Sequence, residues 1–279
     1  MTGGPTRRAT RVVVARDVPR FDAESVRPDV REALSELLLT LADDEFVQGF
    51  LDSEWTGIAP MLEEDVAFSS LAQDEIGHAR VFYELRAALT GDDPDETAFG
   101  RPVDGYRHCR LLDHPRTDWA FSIVRRYLYD TADAVRLVAL ADSSFRPLAE
   151  VVAKVRREET YHLMHLDAWI RRLAGRGGEG RDRLDAALTV LWSDALSMFA
   201  PLNREETLIR EGILAQPMAR LAARQRERLA AVFGGLGIKV PATTPEVAGG
   251  RTRGDSSEGF RWLWGEFTSV HRLEVGATW

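Results

Sequence analysis

Apolar residues recur at alternating steps of three and four along four long segments of the chain, the period of a helix with one buried face. One stripe runs through Leu34, Leu38 and Leu41, and a second through Phe68, Leu71, Phe82, Leu85 and Leu89. A third takes in Trp119, Ile123, Tyr127, Ala134 and Leu137, and a fourth Leu148, Val152, Val155, Leu166, Trp169 and Leu173. Alternation with the period of a strand is nearly absent. The pattern predicts helices over 29–52, 60–89, 118–141 and 145–174, with Pro60 suited to a helix start and Gly91 to a helix end.

The connections divide unevenly. The first and third are short and make antiparallel helix hairpins. The link over 90–117, with Gly91, Pro94, Gly100, Pro102, Gly105 and Pro115, is long. Two hairpins joined by one long crossover is the ferritin-like four-helix layout, so an all-α fold is expected. The run GRGGEG at 175–180 ends the fourth helix, and more helix is expected near 181–199, 204–235 and 258–274, with a long loop over 238–257. Residues 1–28 read as an irregular arm. Residues 29–279 read as one helical domain, with a bundle over about 29–174 and extra helices over about 181–279.

Polar residues interrupt all four stripes. Glu45 continues the first, Glu75 and His78 fall inside the second, Asp130 continues the third, and Glu159 and His162 fall inside the fourth. Glu75-Ile-Gly-His78 and Glu159-Thr-Tyr-His162 repeat one spacing, and Glu45 and Asp130 precede them by 30 and 29 residues. On a helix, residues i and i+3 share a face, so each Glu-x-x-His aims a carboxylate and an imidazole at one point. A single copy arises readily by chance. Six such groups on core stripes do not, because buried charge is costly unless something neutralises it. Carboxylates with two histidines suit a pair of iron ions, or of manganese, better than a closed structural zinc.

Other candidates are weaker. Asp74 and Glu158 directly precede the two ligand glutamates. Each either supports an imidazole, on its own or another helix, or is a helix-surface charge. His165 lies one residue off its stripe and reads as a core or supporting histidine. His108 and His114 flank Cys109 in the crossover, three groups that make a poor zinc site. Trp119, Phe121, Tyr127 and Phe82 either line an apolar pocket near the metals or are plain core.

A formal charge of −8 disfavours nucleic acid or an anionic membrane as partner. Cys109 is the only cysteine, which excludes an internal disulfide and points to a reducing cytoplasm. No stretch has the length of a membrane span, and the start of the chain has basic residues without the apolar core of a secretion signal.

These residues resemble the phenylacetyl-CoA epoxidase family, bacterial ring-oxygenating proteins with ferritin-like subunits, over roughly 30–279. The segment LADDEFVQGFLDSEWTGIAPMLEEDVAFSSLAQDEIGHAR (41–80) and the closing GGRTRGDSSEGFRWLWGEFTSVHRLEVGATW (249–279) look like the family's structural subunit. The ligand pattern looks like its catalytic subunit: Glu45, Glu75 and His78 in QDEIGH, Asp130 in YLYDTA, Glu159 and His162 in REETYH. The typical structural subunit has lost such ligands, whereas every position is filled here. The resemblance implies a di-iron oxygenase using O2 on a small aromatic or acyl-CoA substrate.

Three classes remain open: such an oxygenase, a non-catalytic structural subunit of one, and a ferroxidase or manganese-catalase-like protein. The chain has no dinucleotide fingerprint and no cysteine cluster, so an oxygenase would need a separate reductase. Apolar groups after residue 180, among them Trp192, Met198, Phe199, Trp262, Trp264 and Phe267, exceed the needs of a small bundle. They are expected to cover it and to contribute to a homo-oligomer or to pairing with a related ferritin-like subunit.

Overall fold

The computed structural model describes residues 18–175, 177–243, 245, 253 and 256–273. Four long helices, α1 (Pro28–Ser53), α2 (Leu62–Thr90), α4 (Trp119–Leu140) and α5 (Arg146–Gly175), form a ferritin-like bundle, and the described residues contain no strand. The short α3 (Pro94–Phe99) lies in the crossover. The remaining helices, α6 (Gly178–Leu191), α7 (Glu205–Arg210), α8 (Met218–Gly235), α9 (Glu258–Phe267) and α10 (Ser269–Leu273), follow the bundle.

The helix ends follow local chemistry. Pro28 opens α1, where its missing N–H costs no hydrogen bond. The Asp118 side chain caps α4 by accepting from the Phe121 N–H at 2.8 Å. Gly91 closes α2 in the left-handed region at φ 78°, which disfavours a residue with a Cβ. Pro60 does not start α2. Residues 60 and 61 form a bend, and the helix begins at Leu62 with Glu63, Glu64 and Asp65 in its first turn, where the helix dipole favours acids.

α1 packs mainly on α2, and α4 on α5, α6 and α8. α1 is buried on every side over much of its length, and so is α4. At Gly49 the two helices of the first hairpin approach so closely that a Cβ would lie 2.9 Å from Ile76 Cγ1 and 3.1 Å from the Ala72 carbonyl oxygen. This close approach, one turn beyond Glu45 and beside Glu75, holds those two carboxylates near one another.

The extra helices differ in detail from the periodic reading. The stretch expected near 181–199 is helix only to Leu191, followed by 3₁₀ turns at 192–194 and 197–199. The stretch near 204–235 divides into α7 and α8 because Gly212 adopts φ 69° and Pro217 sits just before α8. Trp192, Met198, Phe199 and Phe267 are buried within the chain, whereas Trp262 is 56% exposed. Of the N-terminal arm, Val18, Phe21 and Val26 pack against the core, and residues 1–17 lie outside the described residues. The closing Gly-Ala-Thr-Trp lies outside them too. No helix among the described residues is long and apolar enough to cross a membrane.

Two consecutive acids of α1 fasten the crossover. Asp43 accepts from Tyr83 Oη at 2.5 Å, from Arg101 Nη1 at 3.0 Å and from the Arg107 N–H at 2.6 Å. Asp44 accepts from the Cys109 N–H at 2.6 Å, from Arg136 of α4, and from Arg253 Nη1 at 3.0 Å. Arg253 in turn donates to the carbonyls of Arg107 and Met198, at 2.5 and 2.6 Å. His108 pairs with Asp113 at 2.8 Å, and His114 with Asp194 at 2.9 Å. The crossover histidines therefore serve local packing beside the buried Cys109.

Candidate metal centre

Each bundle helix delivers the polar residues of its stripe to the bundle interior. Glu45 comes from α1, Glu75 and His78 from α2, Asp130 from α4, and Glu159 and His162 from α5, all buried. They converge as two overlapping donor sets that share Glu159. Single donor atoms of Glu45, Glu75, His78 and Glu159 lie within 4.8 Å of one another, and so do those of Asp130, Glu159 and His162. His78 Nδ1 is 3.4 Å from Glu45 Oε2, 3.9 Å from Glu75 Oε2 and 3.5 Å from Glu159 Oε1. His162 Nδ1 is 3.1 Å from Glu159 Oε1 and 3.3 Å from Glu75 Oε1.

The two imidazoles point the same way relative to the cluster. In both, Nδ1 faces the carboxylates and Nε2 faces outward to an acid on the other Glu-x-x-His helix. His78 Nε2 pairs with Glu158 of α5 at 2.7 Å, and His162 Nε2 with Asp74 of α2 at 3.2 Å. Asp74 and Glu158 thus each contact a histidine across the helix pair. Such a contact fixes ring orientation and makes Nδ1 a better donor to a metal. His165 instead pairs with Glu64 at 3.0 Å.

Phe82 and Tyr127 are plain core, and Trp119 packs among Trp55, Phe68 and Trp169. A cavity of about 350 Å³ opens instead between α2 and α5. Asp74, His78, Glu158 and Val155 line it, with Arg80 and Lys154 also in its wall.

Several groups at the centre were not evident from the sequence. Arg126 of α4 is wholly buried and donates to Asp52 of α1, to Glu75, and to His162 Nδ1 at 3.1 Å; its Nε lies 3.4 Å from Asp130 Oδ2. Gln48 holds the other oxygen of Asp52 at 2.8 Å, and Tyr129 donates to Glu45 at 3.2 Å. A signal existed: Asp52 lies seven residues beyond Glu45 and Arg126 four before Asp130, so both continue ligand stripes.

Burial without compensation disturbs the protonation of the cluster. Burial, reinforced by the charges of Glu159 and Glu45, pushes Glu75 well above the usual carboxylate range. Burial raises Glu159 to about 7, with Glu45 adding to it, and raises Asp130 to about 7 against the pull of Arg126. For Glu45 burial acts upward, but Glu75, His78 and Arg136 outweigh it and hold the group at about 2. Burial likewise opposes a charge on His78, yet Glu45, Glu159 and Glu158 raise it to about 9. His162 is lowered to about 4 by burial and by Arg126.

The residues fit a metal pair. Glu45 Oε2, Glu75 Oε2, His78 Nδ1, both oxygens of Asp130 and both of Glu159 are buried and make no hydrogen bond. Orphaned polar atoms on this scale are costly in a dry interior, and divalent cations among them would satisfy all at once. An oxygen-rich set with two imidazoles is the donor chemistry of iron or manganese.

Known proteins match this chain along its length. The family model described as "Phenylacetic acid catabolic protein" matches residues 21–279. The chain is 29% identical to the C subunit of 1,2-phenylacetyl-CoA epoxidase from Escherichia coli (strain K12) over 250 residues, 88% of this chain and 99% of that protein. It is also 29% identical to the A subunit of the same enzyme over 161 residues, 57% of this chain and 52% of that protein.

Proposed function

The chain belongs to the phenylacetic acid catabolic protein family, and from that membership and the buried cluster we propose that it is a di-iron oxygenase acting on a small aromatic or acyl-CoA substrate. The observation that carries this reading is the convergence of unsatisfied carboxylate and imidazole atoms from all four bundle helices on two donor sets. A bound pair of iron ions supplies the redox chemistry by which O2 becomes an oxidant, with electrons from a separate reductase. Glu45, Glu75, His78, Asp130, Glu159 and His162 would hold the pair.

The chain's own side chains bind, orient and exclude water. Asp74 and Glu158 hold the two imidazoles with Nδ1 inward. The cavity between α2 and α5 is the approach for substrate, because it reaches the His78–Glu158 pair. Its wall carries Arg80 and Lys154 together with the acids Asp74, Glu150 and Glu158, a mixed lining suited to a polar group. No conventional nucleophile is required. The reading includes a single helical domain over 29–279, a cytoplasmic setting, and assembly with a related ferritin-like subunit or with further copies of itself.

The test supplies iron, a reductase system, O2 and a panel of aromatic acids and their CoA thioesters, with Glu159→Ala as control. An oxygenated product lost in the control supports the reading. Peroxide disproportionation without any such product moves the protein to the catalase class. A second reading, a non-catalytic structural subunit, draws on the match to one subunit of a multi-subunit epoxidase along 99% of that subunit's length, since such a chain works with partner subunits. It predicts no product from this chain alone and restored turnover in a partner catalytic subunit when this chain is added.

A further inference from the structure

Arg126 blocks the imidazole nitrogen of only one of the two donor sets. Its Nη2 donates to Glu75 Oε1 and, at 3.1 Å, to His162 Nδ1, and its Nε lies 3.4 Å from Asp130 Oδ2. The guanidinium thus takes up the lone pair of His162 that a metal ion needs and sits against Asp130 of the same set, while Glu75, its other partner, belongs to the other set and keeps Oε2 free. The oxygens of Asp130 and Glu159 make no hydrogen bond, so the two sets differ at the imidazole: His78 Nδ1, unlike His162 Nδ1, makes none, and neither do the Oε2 atoms of Glu45 and Glu75 beside it. A guanidinium keeps its positive charge, so it and a divalent ion repel strongly when both are held at the same buried donors.

We propose that Arg126 is a resident cation at the second metal position, so that the two ions load in a fixed order. The first enters Glu45, Glu75, His78 and Glu159. The second enters Asp130, Glu159 and His162 only as Arg126 withdraws. The inference rests on the metal-binding part of the function proposed above. The fold provides somewhere for Arg126 to go. Asp52 already accepts from Nη1, and Gln48 holds the other Asp52 oxygen at 2.8 Å. Rotation that frees Nη2 from Glu75 and His162 can therefore keep Nη1 on Asp52, so the arginine stays paired while it yields the site. Arg126 is a positioning residue in this account, since it controls occupancy without touching substrate.

The experiment is a manganese(II) titration of the full chain followed by electron paramagnetic resonance, which separates isolated ions from spin-coupled pairs without any turnover. In the wild type an isolated-ion spectrum should grow through the first equivalent, and the coupled spectrum should follow with an affinity at least about tenfold weaker. Arg126→Met should bring the second affinity to within about threefold of the first. Asp52→Asn keeps the arginine but removes its anchor, and should weaken the second step further with the first unchanged. Coupled pairs from the first addition to wild type would overturn the inference. So would a second step unchanged in Asp52→Asn, a test that stands even where Arg126→Met does not fold. No manganese bound at either position would overturn this inference together with the metal-binding reading beneath it.

Discussion

His78 of α2 takes its outer partner from Glu158 of α5, with Nε2 and Oε2 at 2.7 Å, while the neighbouring imidazole makes the reverse connection from α5 to Asp74 of α2. The two helices that carry Glu-x-x-His thus orient each other's histidines. A rotation of either helix would disturb both halves of the centre.

This crossed support predicts the effect of neutral replacements. Glu158→Gln and Asp74→Asn should each weaken metal binding about 10–100-fold while the fold is kept. Each change should fall mainly on the ion held by the histidine it supports. Metal titration of the two variants checks this, and equal losses at both positions would argue against the pairing.

Sharing of one carboxylate sets a second contrast. Glu159 belongs to both donor sets, whereas Asp130 belongs to one. Glu159→Gln should therefore reduce binding at both positions, and Asp130→Asn at one only. Titration calorimetry with manganese distinguishes one lost step from two.

The protonation state of the metal-free centre predicts how stability varies with pH. Asp130 and Glu159 are raised to about 7, and His78 to about 9. A raised group contributes stability in full below its unfolded value and loses it as pH climbs through the folded one. His162, lowered to about 4, acts oppositely and loses its contribution as pH falls from 6.5 towards 4. Glu45, held at about 2, changes nothing above 4.5. Below 6.5 the effects oppose one another, and from 6.5 to 9 only losses remain. The unfolding free energy of chelator-treated protein should fall across that interval by up to about 1.4 kcal/mol per pH unit for each titrating group, and its Tm should fall with it. Metal binding, which displaces these protons, should strengthen over the same interval. A flat or rising Tm would contradict the assignment.

Away from the metals, Asp44 predicts a structural loss. It is wholly buried and joins α1 to the Cys109 backbone, to Arg136 of α4 and to Arg253. Asp44→Ala would remove the carboxylate that Arg253 pairs with and leave Arg136 with Asp133, and should cost about 3–5 kcal/mol in urea unfolding. Asp65→Ala, which removes a surface contact to the Gly57 N–H, should cost under about 1 kcal/mol.

The clustering of the site's carboxylates and histidines in the bundle interior was legible in the sequence because they break the apolar stripes that define the helices. Glu75 and His78 sit one turn apart between Leu71 and Phe82, so periodicity alone places them in the core. Which partner Asp74 and Glu158 would choose was not legible, since that depends on the offset between α2 and α5. Arg126 escaped for a different reason. An arginine four residues before an acid reads equally well as a solvated i,i+4 pair, and only the packing of α1, α2 and α5 against that face of α4 makes it interior. The break between α7 and α8 turns on the left-handed backbone of Gly212, which a helical pattern of side chains does not reveal.

The most direct test of the account is the iron content of protein loaded anaerobically and freed of excess metal. The wild type should retain about two ions per chain and gain thermal stability with them, while Glu75→Ala and His162→Ala should retain fewer. Iron that stays stoichiometric in both variants, or a wild type that retains none, would contradict a metal centre built from these bundle residues.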